Sequence, residues 1–187
     1  MPTHNPVRRF DLLSVLLHWS IALFTIALFA SGLWMVDLGY YDDWYYLAPW
    51  WHKGMGVITA ALIVLRWLWI LRRATPAPIA STPPWQHFIA RLVHMLLNLA
   101  VIVLFISGYL IVTAKGDGLS VFDWFTIPAL LKDQAGWSEL VSSLHLWAGW
   151  FIIGLASLHA LAALKHHFID RDATLKRMLF IQSGDDL

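Results

Sequence analysis

Four long apolar runs, at about residues 11–36, 50–71, 88–114 and 140–168, leave this chain of 187 residues little choice of fold. Each exceeds the roughly 18 to 20 residues that a helix needs to cross about 30 Å of bilayer core. Hydrocarbon offers no partner for a bare peptide group, so such runs are helices, which bond their backbone internally. Hydrophobic residues make up 59% of the chain and charged ones 13%, with 12 Trp, which sets it apart from ordinary soluble domains. The expectation is an all-α integral membrane four-helix bundle, a single domain over 1–187 with no length left for a separate soluble module. The first run is longer than a signal-peptide core, lacks a clear A-x-A site after it and contains His18, so it is expected to be retained.

The basic residues are unevenly shared between the two ends of that bundle. Arg8, Arg9, Arg72, Arg73, Arg91, Lys165, Arg171, Lys176 and Arg177 fall on the side of both termini and the loop between the second and third runs. Only Lys53, Lys115 and Lys132 fall on the other. The positive-inside rule predicts cytoplasmic termini and two outward loops. Those loops carry Asp37, Asp42, Asp43, Asp117, Asp123, Asp133 and Glu139. They also carry Trp44, Tyr45, Tyr46, Trp50, Trp51, Trp124 and Trp137, which read as an aromatic belt at the headgroups, with one or two free to border a substrate site. Ala74 to Pro84, with Pro76, Pro78, Pro83 and Pro84, reads as a stiff connector. Leu119 to Leu131, apolar but broken by Pro128, is too short to span and is expected on the membrane surface or folded over the bundle end as a lid. There is no solenoid-type repeat and no low-complexity segment.

Nine histidines accompany no cysteine, and His18, His52, His145 and His159 lie inside or at the edge of the apolar runs. An ionisable side chain in hydrocarbon marks function by default. By depth, His18 meets His159 in the inner leaflet and His52 meets His145 in the outer. His145 and His159 are 14 residues apart, roughly 21 Å along a helix axis and nearly on one face, so one helix serves two stacked sites. Two bis-His haems b fit this pattern, and their closed coordination suits electron transfer. No C-x-x-C-H is present, so attachment is non-covalent. Zinc would want a compact ligand set that two distant pairs do not supply.

Gly54, Gly56, Gly149 and Gly154 sit near these histidines and Gly32 and Gly108 lie in the first and third runs, consistent with a flat ring against the backbone or with ordinary small-residue packing. Arg66, 14 residues after His52, either pairs with a haem propionate or snorkels to the headgroups. His94 lies about as deep as His18. It is expected to hydrogen-bond a propionate or quinone or to be a satisfied interior histidine, and its depth would also let it stand in as a ligand. His166 and His167 read as a cationic pair at a helix end, with a proton relay as the lesser reading, and His4 and His87 as surface residues.

These features resemble the bacterial cytochrome b561 proteins, di-haem b four-helix proteins of the inner membrane. The resemblance covers nearly the whole chain. It is carried by L-L-H-W (Leu16 to Trp19), W-H-K-G-M-G (Trp51 to Gly56), L-R-W-L-W-I-L-R-R (Leu65 to Arg73) and the His145 to Phe168 segment with its terminal H-H-F. It implies His18 with His159 and His52 with His145 as the ligand pairs to haem iron. It also implies electron exchange between membrane quinone, such as ubiquinone, and a periplasmic partner. One branch of the family oxidises superoxide, and an anion calls for a positive mouth. The outer loops here are net acidic, so Lys53, beside a ligand, is the candidate for anion steering in a superoxide oxidase-like oxidoreductase. The alternative is a haem b membrane anchor relaying electrons from a periplasmic dehydrogenase or hydrogenase. The expected partners are thus the lipid bilayer, a quinone and a small or protein redox partner, with no nucleic acid.

Overall fold

A computed structural model describes residues 9–73, 76–79, 82–114, 116–130 and 136–179. They form four long helices, α1 (Leu12–Val36), α2 (Leu47–Arg72), α3 (Pro84–Thr113) and α4 (Trp137–Phe168), all long and apolar enough to cross a membrane. Their outward side chains are oily: Leu23 and Leu161 are 64% and 60% exposed in mid-helix. A soluble protein does not leave so much apolar surface open, whereas lipid covers it without cost.

Local chemistry sets the ends. Asp11 caps α1, its carboxylate accepting from the Ser14 amide at 3.1 Å and the Ser14 hydroxyl at 2.8 Å. α3 begins at Pro84 rather than near 88, because a proline in the first turn gives up an amide that has no helical partner anyway. Pro84 therefore belongs to the helix and not to the connector. α4 starts three residues earlier than expected, after Gly136, whose φ of +86° suits glycine at the turn into the helix. α2 likewise starts at Leu47, three residues early, as a run of turns from Tyr40 winds directly into it.

α1 packs along α2, and α3 along α4, as two helical hairpins. Contact between the hairpins is sparse. On one side the seam opens as an apolar groove of about 440 Å³ lined by Val57, Ala60, Val64, Trp67, Val101 and Phe105. At the end holding the start of α1 and the end of α4, hereafter the basic end, indoles tie the parts together. Trp69 Nε1 donates to Asp11 Oδ1 (2.9 Å), Trp67 Nε1 to Asn98 Oδ1 (2.7 Å) and Trp19 Nε1 to the Met178 carbonyl (2.7 Å).

The opposite end is closed by strands. β1 (Leu119–Val121) pairs antiparallel with β2 (Phe125–Ile127), joined by a turn in which Phe122 and Asp123 have φ of +48° and +59°. The turn drives Phe122 inward onto Trp50 and Trp51, with ring centroids 4.8 and 5.3 Å away, and Trp50 Nε1 donates to Asp123 Oδ2 at 3.0 Å. Tyr109 clamps the chain beyond β2: its hydroxyl donates to the Pro128 carbonyl (2.8 Å) and accepts from the Leu130 amide (2.9 Å). Of the two expectations for Leu119 to Leu131, the lid is the one seen, built as a β-hairpin rather than a surface helix. Residues 131–135, with Lys132, and also Lys115, lie outside the described residues.

Candidate cofactor site

The sparse seam between the hairpins is where the intramembrane histidines meet. Near the β-hairpin end, His52 of α2 and His145 of α4 face each other with ring centroids 6.3 Å apart and planes at 74°. Near the basic end, His18 of α1 and His159 of α4 do the same at 6.4 Å and 71°. Imidazole nitrogens bind first-row metals at about 2.0–2.1 Å, so two rings sharing one iron have centroids about 6 Å apart. Both pairs meet this requirement, and they meet it alike. His94 approaches His159 more closely, at 5.1 Å, which leaves too little room for an iron between them.

The imidazoles near the β-hairpin end stand in matching cradles. The Ser31 hydroxyl lies 3.1 Å from His52 Nδ1, and a Cβ built on Gly32 would come within 3.1 Å of His52 Cε1. The Ser107 hydroxyl lies 3.0 Å from His145 Nδ1, and a Cβ on Gly108 would again come within 3.1 Å of the ring. The ring that Gly32 and Gly108 admit against the backbone is thus an imidazole. Gly54 serves the lid, since any side chain there would collide with the Phe122 ring. Gly149 packs against Phe29, and Gly56 and Gly154 face open space.

Around the other pair the chemistry differs. Arg66 Nη1 lies 3.3 Å from His18 Nδ1, so this guanidinium is turned into the bundle and does not snorkel. Lys53, next to His52, is half-buried and has no ion pair among the described residues. His166 and His167 are not a pair presented to headgroups: His166 Nδ1 meets Asp172 at 2.7 Å and Asp170 at 3.1 Å, and His167 Nδ1 is buried without a partner among the described residues. Burial raises the Asp172 pKa, but hydrogen bonds from Thr174 and His166 outweigh it and hold the carboxyl below its ordinary value. His87 is half-buried in the first turn of α3, and His4 lies outside the described residues.

The serines and Phe122 were not singled out from the sequence. A signal for the serines exists: Ser31-Gly32 follows His18 by 13 residues and Ser107-Gly108 follows His94 by 13. In the same way Arg66 follows His52 by 14 and His159 follows His145 by 14, so the two hairpins repeat one pattern of polar positions.

Four membrane-length helices that turn two facing imidazole pairs into the seam between them define a polytopic helical membrane protein with candidate metal ligands inside the bundle. Residues 9–180 match the family of prokaryotic cytochrome b561, and the chain belongs to it. It is 43% identical over 181 residues to cytochrome b561 homolog 2 of Escherichia coli (strain K12), covering 97% of this chain and 96% of that one. It is 28% identical to cytochrome b561 homolog 1 of the same organism, over 92% of this chain and 98% of that one. It is likewise 28% identical to a protein of Yersinia pestis named probable superoxide oxidase CybB, over 92% and 96%. Membership makes this a haem b-binding electron-transfer protein of a bacterial membrane.

Proposed function

We propose that the protein carries electrons across the membrane through two haems b, between a quinone and a small redox partner at the β-hairpin end. The observation that carries this reading is the pair of cross-bundle imidazole couples with near-equal spacing, 6.3 and 6.4 Å, at two levels. His52 with His145 would hold one haem, and His18 with His159 the other. Haem iron with two imidazoles supplies one-electron chemistry and leaves no open position for oxygen. The protein's part is to hold these ligands and to keep water out.

Arg66 has a second task in this reading. A guanidinium has donors only. It can rest on the His18 Nδ1 lone pair, yet a His18 that binds metal through Nε2 must carry its proton on Nδ1. Arg66 then has to let go, and the carboxylate of a propionate is its natural bidentate partner. His94, beside His159, is a neighbour of the ligands rather than one of them.

The excess of Lys and Arg at the basic end favours cytoplasmic termini and an outward β-hairpin, an orientation in which His52, His145 and Lys53 would lie toward the periplasm. The relative named as a probable superoxide oxidase supports superoxide as the outer electron donor, with a membrane quinone such as ubiquinone as the acceptor in this reading. Lys53 supplies local positive charge there against loops that are net acidic.

The test is a spectrum and a count. Purified protein should show a bis-His haem b absorption spectrum with two haems per chain. His52→Ala or His145→Ala should remove one of them, and His18→Ala or His159→Ala the other. Loss of a haem in His94→Ala, with both retained in His18→Ala, would reverse the assignment of the inner pair. A reporter fused to the C-terminus should work only if it is of the cytoplasmic kind.

A further inference from the structure

The repeat seen in the two hairpins has a chemical content at one level of the bundle. Ser31 and Ser107 occupy matching positions, each followed by a glycine and each facing the Nδ1 of an imidazole on the neighbouring helix. Each hydroxyl also has a carbonyl of its own helix within reach to take its proton. Ser31 Oγ donates to the Leu28 carbonyl at 3.1 Å, and Ser107 Oγ donates to the Val103 carbonyl at 2.6 Å. A hydroxyl has one proton and two lone pairs, so what each serine has left for the imidazole is an acceptor. In that arrangement the imidazole is the donor, with the hydrogen on Nδ1 and the lone pair on Nε2.

We infer that Ser31 and Ser107 are positioning residues that lock His52 and His145 in the one tautomer able to bind iron through Nε2, and so tune the haem held there. The inference rests on the axial-ligand reading above. A ligand imidazole that donates its second N–H is held in orientation and made more basic. Greater basicity favours the oxidised metal, so these serines should keep the potential of this haem low. The glycine after each serine leaves room for the ring, since a Cβ at Gly32 or Gly108 would press against it at 3.1 Å. Among the described residues no hydroxyl is hydrogen-bonded to the rings at the His18 and His159 level, and His18 Nδ1 there faces the donor-only Arg66. The two levels therefore differ in what their ligands see, although their ring spacings are alike.

A redox titration of the haem-loaded protein, followed by absorption, tests this. The wave belonging to the His52 and His145 haem is the one lost in His52→Ala. Ser31→Ala and Ser107→Ala are expected to move that wave to more positive potential and leave the other in place. Ser31→Thr, which keeps a hydroxyl, should bring it back toward the native position. If Ser31→Ala sheds the haem, its retention in Ser31→Thr supports the hydroxyl's role, and its loss from both variants overturns it. Two intact haems with unmoved potentials in both alanine variants overturn it as well. A His52→Ala protein that keeps both waves would instead defeat the ligand assignment, and the inference with it, a result that neither serine series can mimic.

Discussion

Arg66 and Asp11 show how single side chains near the basic end do different work. If Arg66 is released to a propionate when His18 binds iron, its charge stabilises the more negative, reduced state of that haem. Arg66→Gln should shift the His18 and His159 haem to more negative potential while the other haem stays put, as read by redox titration. Equal shifts of both haems would count against the placement. Arg66 lay open to two readings in the sequence, because 14 residues from His52 fixes a helical face and not the depth to which a flexible side chain reaches. Asp11 is a matter of stability. Burial raises its pKa, but the hydrogen bonds from Ser14 and Trp69 outweigh that and hold it below the ordinary carboxylate value. The unfolded chain thus takes up this proton more readily than the folded one. Its contribution is complete above about pH 4 and is lost as pH falls through the lower folded value. Asp11→Ala should cost about 1 kcal/mol at neutral pH, the usual worth of such a cap. The difference from the native protein should shrink when denaturation is repeated in acid.

At the scale of elements, the helices were legible because lipid demands long apolar runs, and their ends were less so. The starts of α2, α3 and α4 were each placed three or four residues late, since prolines, a glycine and tight turns at a helix start look like loop until the backbone is seen. The β-hairpin was not legible as strands. Its turn holds Phe122 and Asp123 at positive φ without a glycine, a conformation held by Phe122 packing and the Trp50 to Asp123 bond rather than by local preference. That lid matters for access. Phe122 sits over Gly54, two residues from His52, so a reactant that approaches from the β-hairpin end meets an aromatic plug, with Lys53 next to Gly54 in the chain. Lys53→Glu should slow reduction of the outer haem by superoxide or a similar small anion, and the native rate should fall as salt screens the attraction. Both haem bands should be unchanged, because Lys53 is not a ligand. Stopped-flow measurement across ionic strength decides the matter: a rate indifferent to salt and to the substitution removes anion steering and favours a docked protein donor.

The whole molecule is two hairpins that hold each other loosely. The facing of His18 with His159 and of His52 with His145 was legible early, since two histidines 14 apart on one helix already specify two levels on one face. The serines that face the rings were hidden, because a Ser-Gly pair in a membrane helix looks like ordinary close packing and only the partner helix reveals its use. What joins the hairpins is equally invisible in sequence. Few contacts bridge them among the described residues: the Trp67 to Asn98 bond, the Trp19 to Met178 bond, the Phe29 ring on Trp150 at 4.9 Å, and the lid on α2. Each proposed haem takes one ligand from the first hairpin and one from the second, so the cofactor is itself the main cross-link. A ligand that binds only the assembled state stabilises it by about 2.7 kcal/mol at a hundred times its Kd. The chain can be cut in the connector between Arg73 and Thr82 and the halves co-expressed in membranes, each keeping its own tight helix pair. The halves should co-purify when haem-loaded. The double variant His52→Ala with His18→Ala, which leaves the first hairpin without a ligand, should let them separate. Halves that stay together without haem would show that protein contacts alone carry the assembly.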